Sequence, residues 1–254
     1  MIDDLHNVSE VLERCEVCGW AKKIRIFKSI LPCVCKCEED AYEKQKADRE
    51  LAERVRRNTA EAYRLNPGMK DCVSIKDDRK RPTISKACKA YGEKFNGSKP
   101  DKWLLLFGDV GTGKTFMAVK IMATALSFGR SALIATPAQI ERLVWNAQNK
   151  EEAYEKLRSY DLLVIDDFGA CRDTSYMYEV MFNVIDDREK NNAATVITTN
   201  LTRDDFLKPE STGMKRIVSR IFGKSIPLEF TGADRRIANI FNNCDGAIEE
   251  LLNG

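Results

Sequence analysis

The segment that most constrains the fold of this chain is Gly108-Asp109-Val110-Gly111-Thr112-Gly113-Lys114-Thr115, which matches the pattern G-x-x-x-x-G-K-[ST]. An apolar run, Trp103–Phe107, precedes it, and a helix-forming run, Thr115–Phe128, follows it. Glycines let a backbone wrap closely around an anion, and the N-terminus of the next helix adds its positive dipole. The segment therefore predicts a strand, a phosphate-binding loop and a helix, with all eight residues at a bound nucleotide.

Two side chains of this loop have specific expected roles. The Lys114 ammonium is expected between the β- and γ-phosphates of ATP, and the Thr115 hydroxyl is expected to bind Mg²⁺. Both roles belong to phosphoryl transfer, so Lys114 is also a predicted catalytic residue.

Short apolar runs alternate with helical patterns over the rest of the chain, which predicts parallel strands joined by helices in an α/β fold. Ligands of such sheets bind at the carboxyl ends of the strands. The predicted strands are Trp103–Phe107, Ala132–Ala135, Leu162–Ile165, Thr195–Thr199 and Ile226–Phe230, and the predicted helices are Thr115–Phe128, Gln139–Trp145, Glu151–Arg158, Tyr176–Glu189 and Met214–Phe222.

Acidic residues end the third predicted strand. In the run Asp161–Asp167, a buried apolar segment delivers Asp166 and Asp167 to the sheet edge. Asp166 is expected to hold Mg²⁺, and Asp167 to act as a general base toward the attacking water. The alternative is that the carboxylates only end a buried strand in solvent.

Asn200 follows the fourth predicted strand. If that strand lies between the strand before the phosphate loop and the acidic strand, Asn200 would face the γ-phosphate and orient water. Without such a neighbourhood, an Asn after a strand is an ordinary turn residue.

The composition narrows the range of functions. The chain has 254 residues, 41 Lys and Arg, 39 Asp and Glu and a formal net charge of +2, which excludes a polycation that binds by total charge alone. His6 is the single histidine, so a histidine general base is a poor explanation. No signal peptide pattern or membrane-length apolar run is present, and we expect a cytoplasmic protein with no membrane partner.

Five of the nine cysteines fall between residues 15 and 37. Cys15 and Cys18 form a C-x-x-C pair, and two of Cys33, Cys35 and Cys37 would complete a four-thiolate structural zinc site. The alternative is a set of reduced free thiols. Such a short segment cannot bury enough surface to fold alone, so metal binding would stabilise it.

The predicted organisation has three parts: residues 1–40 as the cysteine-rich zinc-binding element, 41–66 as a linker helix and 67–254 as the nucleotide-binding domain. The composition of Glu38–Arg64 favours a long helix, which Asn66-Pro67-Gly68 ends, and a further helix is expected at Ser85–Phe95. The stretch Lys70–Lys102 holds ten Lys and Arg against five Asp and Glu, and is either a nucleic-acid contact or a solvated surface.

The order of these motifs resembles the AAA+ ATPases, and more closely the branch that contains DnaC/DnaI-type replicative helicase loaders and IstB-type transposition ATPases. The resemblance covers roughly residues 100–237. Its matching stretches are Gly108–Leu126, Asp161–Gly169, Thr195–Leu201, Arg216–Ile221 and Gly232–Arg236.

This resemblance implies an AAA+ P-loop domain with a parallel five-stranded sheet between helices, plus the small zinc-binding element and linker helix. It makes Asn200 the sensor 1 residue and Arg220 an arginine finger that acts in trans on ATP held by a neighbouring subunit. Arg216 would support the same interface, and Arg235 or Arg236 lies where sensor 2 would fall. Only eighteen residues follow Arg236, too few for the complete helical lid of many AAA+ proteins.

Two details of the sites also come from the resemblance. Asp167 stands where most AAA+ ATPases have Glu, and the shorter side chain suits a slow switch more than a fast motor. The sequence Pro-Cys-x-Cys resembles the second half of the cysteine-rich element of many loaders, which favours Cys33 and Cys35 as zinc ligands with Cys37 as the alternate.

The implied function is that of an ATPase, slow alone, that loads a hexameric replicative DNA helicase and needs ATP, Mg²⁺ and Zn²⁺. The N-terminal region would bind the helicase, while ATP would control self-assembly, contact with single-stranded DNA and release. Pro137–Arg158 lies where related ATPases contact single-stranded DNA, and Trp145 either stacks on a base there or belongs to the core. The alternatives are an IstB-like regulator of a transposase on duplex DNA and a nucleotide-switched adaptor with little hydrolysis.

Overall fold

The apolar runs of the chain form two separate sheets. The computed structural model describes residues 10–77, 81–170, 174–209 and 211–235. The chain divides into two units, Met1–Arg54 and Val55–Gly254, each with its own sheet. His6 and Arg236 lie outside the described residues.

The first unit holds an antiparallel sheet of three short strands that the sequence analysis did not predict. The strands are β1 (Glu10–Arg14), β2 (Ala21–Ile26) and β3 (Ser29–Pro32), in the order β1-β2-β3. Among the described residues of this unit, only Cys15, Ile24 and Cys35 are buried. A core of three side chains is far too small to offset the conformational entropy of folding, so the sheet needs another source of stability.

A long helix, α1 (Lys36–Ala62), follows the small sheet. It confirms the helix expected at Glu38–Arg64, shifted by two residues at each end. Its Ala, Glu, Lys and Arg content supplies the helix propensity, and few of its side chains are apolar, so the helix is exposed over most of its length.

The second unit contains the predicted parallel sheet. Its strands are β4 (Trp103–Gly108), β5 (Ala132–Ala135), β6 (Leu162–Phe168), β7 (Ala194–Thr199) and β8 (Ser225–Phe230), in the order β5-β6-β7-β4-β8 with every pair parallel. All five strands confirm the sequence prediction to within three residues. Strand β7 lies between β4 and β6, which is the arrangement that the interpretation of Asn200 required.

Helices cover both faces of this sheet, and strand residues alternate between two cores. The helices are α2 (Pro82–Glu93), α3 (Lys114–Ser127), α4 (Pro137–Trp145), α5 (Lys150–Ser159), α6 (Ser175–Lys190), α7 (Arg203–Leu207) and α8 (Thr212–Lys224), with a 3-10 helix at Pro67–Val73. Leu104 and Leu106 pack in one core with Ile121 of α3, while Leu105 packs in the other with Val184 of α6. Burial on both faces explains why the strands read as continuous apolar runs.

One charged side chain lies completely inside the second core. Arg188 of α6 has no exposed surface, and burial lowers the pKa of its guanidinium. Its N–H groups donate to five oxygens instead of to a carboxylate: the carbonyls of Leu157, Arg158, Tyr160 and Ala194 and the Thr195 hydroxyl. The Arg188 side chain therefore connects α6 to the end of α5 and to the start of β7 through hydrogen bonds.

No helix in the described part of the chain combines the length and the apolar composition that crossing a membrane requires.

Candidate functional site

The phosphate loop lies between the end of β4 and the start of α3. Gly113 is the N-cap of helix α3 and has a φ of 97°, and Gly108 has a φ of 117°. Residues that carry a side chain rarely adopt these backbone angles. A Cβ at Gly108 would lie 2.5 Å from the Phe230 carbonyl oxygen, so only glycine permits the close pairing of this strand end with β8. Glycines at positive φ give this loop the backbone freedom that wrapping closely around an anion requires.

Lys114 is almost fully buried beneath this loop, with 5% of its surface exposed. Its Nζ donates to the carbonyl oxygens of Gly108 at 2.9 Å and Asp109 at 2.6 Å. Thr112 is buried too, and its hydroxyl donates to the Asp109 carbonyl at 2.7 Å, while Val110 is half exposed at the rim. These contacts fix the loop and hold the ammonium among the residues predicted to bind phosphate.

A buried carboxylate lies next to the loop. Asp166 is 2% exposed, and its Oδ1 accepts hydrogen bonds from the Thr115 hydroxyl at 2.9 Å and the Thr198 hydroxyl at 2.6 Å. The structure thus brings together Thr115 and Asp166, the two predicted Mg²⁺ ligands. Hydroxyl and carboxylate oxygens are the hard ligands that Mg²⁺ takes, so this pair is chemically suited to hold it.

The third member of this group, Thr198, was missed by the sequence analysis. It comes from β7, and its hydroxyl also accepts the Asp167 N–H at 3.0 Å. The sequence signal that could have identified Thr198 is a polar side chain inside the buried run Thr195–Thr199. A buried hydroxyl needs a hydrogen-bond partner, so such a residue is expected to contact another polar group. Burial raises the pKa of Asp166 above 3.8, although the Thr198 and Thr115 hydroxyls lower it.

Asp167 occupies an irregular point in β6. Its φ of 54° is left-handed, and the register between β6 and β7 shifts between Ile165 and Phe168. A left-handed non-glycine residue costs about 1–3 kcal/mol and occurs preferentially at functional sites. The bulge interrupts the regular strand pattern at the two consecutive carboxylates, Asp166 and Asp167. This geometry is compatible with the predicted role of Asp167 as a general base.

Asn200 is exposed immediately after β7, at the same sheet edge as Asp166 and the phosphate loop. Arg235 lies against the loop: its backbone N–H donates to the Gly111 carbonyl at 3.0 Å, and one guanidinium nitrogen is 3.6 Å from where a Cβ on Gly113 would be. Of the two sensor 2 candidates, the described structure places Arg235 at the loop.

The two arginines of α8 lie together, as their spacing predicted. The guanidinium of Arg216 stacks on the Phe182 ring at 4.3 Å and that of Arg220 on the same ring at 4.9 Å. Arg220 also pairs with Asp186 and Glu189 of α6. The predicted arginine finger is therefore held by acidic residues of its own chain.

The cysteine cluster corrects one prediction about metal ligands. The Sγ atoms of Cys15, Cys18, Cys35 and Cys37 all lie within 4.8 Å of one another, and Cys33 is not among them. Cys33 continues β3, since its N–H donates to the Lys22 carbonyl at 2.8 Å. Helix α1 begins at Lys36, and its first turn carries Cys37 back toward Cys15, at an Sγ–Sγ distance of 3.4 Å. Cys37 thus replaces Cys33.

The thiols of this cluster have the chemistry that zinc requires. A tetrahedral zinc with bonds of about 2.3 Å separates its sulfurs by about 3.8 Å, comparable to the spacing here. The backbone N–H groups of Cys18 and Val17, together with the Cys37 thiol, lower the pKa of Cys15 to about 6. The Cys37 thiol forms hydrogen bonds with the sulfurs of Cys35 at 3.1 Å and Cys15 at 3.4 Å, and these contacts raise the pKa of Cys37. A bound metal would replace the thiol proton of Cys37.

We expect Cys37→Ala to lose zinc and Cys33→Ala to keep it, because only the first removes a sulfur from the four-thiol group. Metal analysis of the purified protein should give about one zinc per chain for wild type and Cys33→Ala. Retention of zinc by Cys37→Ala together with its loss from Cys33→Ala would restore the original assignment.

Trp145 at the end of α4 is 66% exposed, whereas its neighbour Val144 is fully buried. Its ring packs edge-on against Tyr176 at 5.4 Å, and Lys150 lies over both rings. Of the two interpretations of Trp145, core packing is therefore wrong. The basic stretch from residue 70 to 102 is mostly exposed where it is described, which does not separate its two interpretations.

Two curated proteins to which this chain is similar are named replicative helicase loaders. Replicative helicase loader DnaC of Escherichia coli (strain K12) is 29% identical over 130 residues, which are 49% of this chain and 52% of that protein. Replicative helicase loader DnaI of Bacillus subtilis (strain 168) is 27% identical over 161 residues, 58% of this chain and 50% of that protein. The chain thus spans about half the length of these curated relatives.

Solved structures support the fold. A crystal structure of DnaI superposes with a TM-score of 0.53 at 24% identity, over 64% of this chain and 89% of that one. A crystal structure of the DnaC helicase loader gives 0.51 at 22% identity, over 62% and 93%. A family model described as IstB-like ATP binding protein matches residues 46–210, more than half of the chain. The chain has an AAA+ P-loop fold and belongs to the family of IstB-like ATP binding proteins.

Proposed function

We propose that this protein is an ATP-dependent loader of a replicative DNA helicase. It binds the helicase through its N-terminal unit and uses ATP binding and hydrolysis to control self-assembly, contact with single-stranded DNA, and release. The observation that carries the proposal is the buried Thr115–Asp166–Thr198 group beside Lys114, in a domain whose curated relatives are named replicative helicase loaders.

The hydrolysis step assigns a role to each side chain at the sheet edge. Lys114 binds the β- and γ-phosphates in exchange for its two loop carbonyls, and Thr115 and Asp166 hold Mg²⁺. A Mg²⁺ ion held by these two residues would supply positive charge to neutralise the charge that develops on the phosphates. Asp167 accepts a proton from the attacking water, and Asn200 orients that water. Arg220 of a second copy completes the site, so isolated monomers hydrolyse ATP slowly.

The N-terminal unit has the surface of a protein-binding element. Large apolar side chains that a small core would normally bury are exposed on it: Val17 at 85%, Trp20 at 43% and Leu31 at 45%. Exposed apolar groups of this kind mark protein interaction sites. With zinc holding the fold, the unit can present them to a helicase without burying them itself.

Contact with single-stranded DNA is assigned to the α4–α5 region. Trp145 is exposed and backed by Tyr176, with the Lys150 ammonium over both rings. An exposed aromatic face stacks on any base, and a neighbouring lysine neutralises the backbone, which gives binding with little sequence preference. The near-neutral charge of the whole chain requires that DNA contacts be local in this way.

A second candidate function is favoured by the family description, IstB-like ATP binding protein. The resemblance described above implies that a regulator of this type would bind duplex DNA and a transposase, with the same ATP chemistry. The N-terminal cysteine cluster favours the loader, because it supplies a separate protein-binding unit.

The test is binding to a hexameric replicative helicase from the source organism. The full chain should co-elute with the helicase in ATP, and a chain that begins at Val55 should not, because it lacks the N-terminal unit. The shorter chain should still bind an ATP analogue, which shows that its domain is folded. Capture of a transposase and duplex DNA instead of the helicase would favour the second candidate.

A further inference from the structure

Three side chains of α6 form one continuous stripe toward α8. Phe182, Asp186 and Glu189 are spaced i, i+4 and i+7, so they share one helix face. All three contact the Arg220 guanidinium: Phe182 through its ring, and the two carboxylates through ion pairs. We call these three residues the arginine cradle.

The arginine cradle occupies only some of the N–H donors of the Arg220 guanidinium. Arg220 NH1 donates to Glu189 Oε2 at 2.8 Å, and NH2 lies 2.6 Å from Asp186 Oδ1. The Phe182 ring covers one flat face of the group. A guanidinium carries five N–H donors, and among the described residues the bond from NH1 to Glu189 is the only hydrogen bond that Arg220 makes, since its contact with Asp186 is an ion pair. The arginine is thus fixed in place with donors left for an anion.

The environment makes this arrangement more rigid than an ordinary surface ion pair. The Asp186 side chain is 12% exposed, Glu189 is 30% exposed and Arg220 is 34% exposed, so water screens the contacts less than at a free surface. Arg216 stacks on the same ring and fills the space beside Arg220. An arginine loses rotamer entropy when it is fixed, and here that loss precedes any encounter with ligand.

We propose that Asp186 and Glu189 are positioning residues, which hold Arg220 so that its remaining N–H donors meet the γ-phosphate of ATP bound by a second copy of this chain. The inference rests on the proposed ATP hydrolysis with Arg220 in trans. Arginine fingers contribute about 10³–10⁵ in kcat, and a misplacement of about 1 Å costs roughly 100-fold. Loosening the cradle should therefore lower kcat and leave ATP binding intact.

The experiment mixes two inactive chains. Lys114→Ala cannot bind phosphate but donates an intact Arg220, and Arg220→Ala binds ATP but donates no finger. At concentrations that drive assembly, and with a single-stranded oligonucleotide present, the mixture should recover ATP turnover. Glu189→Gln is then introduced either into the finger donor or into the ATP-binding chain, with far-UV circular dichroism confirming that each chain is folded.

The expected result is a loss that depends on which chain carries the change. Glu189→Gln in the donor should lower kcat about 10-fold with KM changed less than twofold, and the same change in the ATP-binding chain should have no effect. Asp186→Asn in the donor should lower kcat in the same way. Lys190→Gln is the matched control, because Lys190 pairs with Asp186 at 2.6 Å and has no ion pair with Arg220.

Equal losses in both chains, or no loss in the donor, would overturn the cradle proposal while the trans mechanism stands. No recovery by the unmodified mixture would overturn the trans role of Arg220, and the cradle proposal with it.

Discussion

Asp166→Asn should abolish most ATP hydrolysis and at the same time stabilise the nucleotide-free protein. Hydrolysis is expected to fall roughly 100-fold or more, because a neutral amide is a poor Mg²⁺ ligand. The Asn Oδ1 can still accept from the Thr115 and Thr198 hydroxyls, so the local hydrogen bonds are kept. The two effects have opposite signs, which is what a buried functional charge predicts.

The sign of the stability effect comes from the pKa of Asp166, which burial raises above 3.8. A group with a raised folded-state pKa binds more protons in the folded than in the unfolded protein. Its contribution is therefore most favourable below pH 3.8 and becomes less favourable as the pH rises through the raised value. At neutral pH the charge of Asp166 therefore destabilises the folded protein. If its removal raises the free energy of unfolding by about 1 kcal/mol, Tm increases by about 2–4 °C.

Asp161→Asn, at the opposite end of β6, is the matched control. Burial would raise the pKa of Asp161, but the Lys99 ion pair at 2.6 Å and the Ser131 hydrogen bonds lower it overall. Its contribution to stability is present above the unfolded-state pKa and is lost as the pH falls through the lowered value. Asp161→Asn should thus lower Tm and leave hydrolysis unchanged. A lower Tm with retained hydrolysis in Asp166→Asn would contradict the assignment.

Arg188→Met should be the most destabilising single substitution among those considered, at about 3–5 kcal/mol. The side chain has no exposed surface, and its loss leaves four backbone carbonyls without their donor. The cost is expected as a decrease in Tm of about 10 °C, or as failure to fold, in a thermal melt followed by circular dichroism.

The control for that melt is Arg203→Met. It makes the same chemical change at an exposed position of α7, and its Tm should stay within experimental error of wild type. Arg188→Lys should fall between the two, because one ammonium cannot reach all five oxygens. A wild-type Tm for Arg188→Met would show that the buried guanidinium is not needed for stability.

The sequence was sufficient for features that are local in the chain. The phosphate loop is a contiguous motif, and the five strands of the second unit are apolar runs that parallel pairing buries on both faces. Asp166 was identifiable because a buried strand that ends in carboxylates is unusual. These predictions depend on nearest neighbours and on periodicity, which a sequence displays directly.

Features that depend on contacts distant in sequence were not accessible. Thr198 acquires its role because β7 inserts between β4 and β6, and Arg188 because three segments place their carbonyls around it. Cys37 was ranked below Cys33 because the point where α1 begins decides which thiol turns inward. The small sheet was missed because its strands carry charges and bury almost nothing, so no apolar periodicity marked them.

Analytical size-exclusion chromatography of the full chain with the hexameric replicative helicase of its source organism tests the proposed loader function most directly. We expect co-elution in the presence of ATP, and we expect its loss when residues 1–54 are removed although the remaining domain still binds nucleotide. The absence of any complex between the full chain and the helicase, with ATP bound, would contradict it.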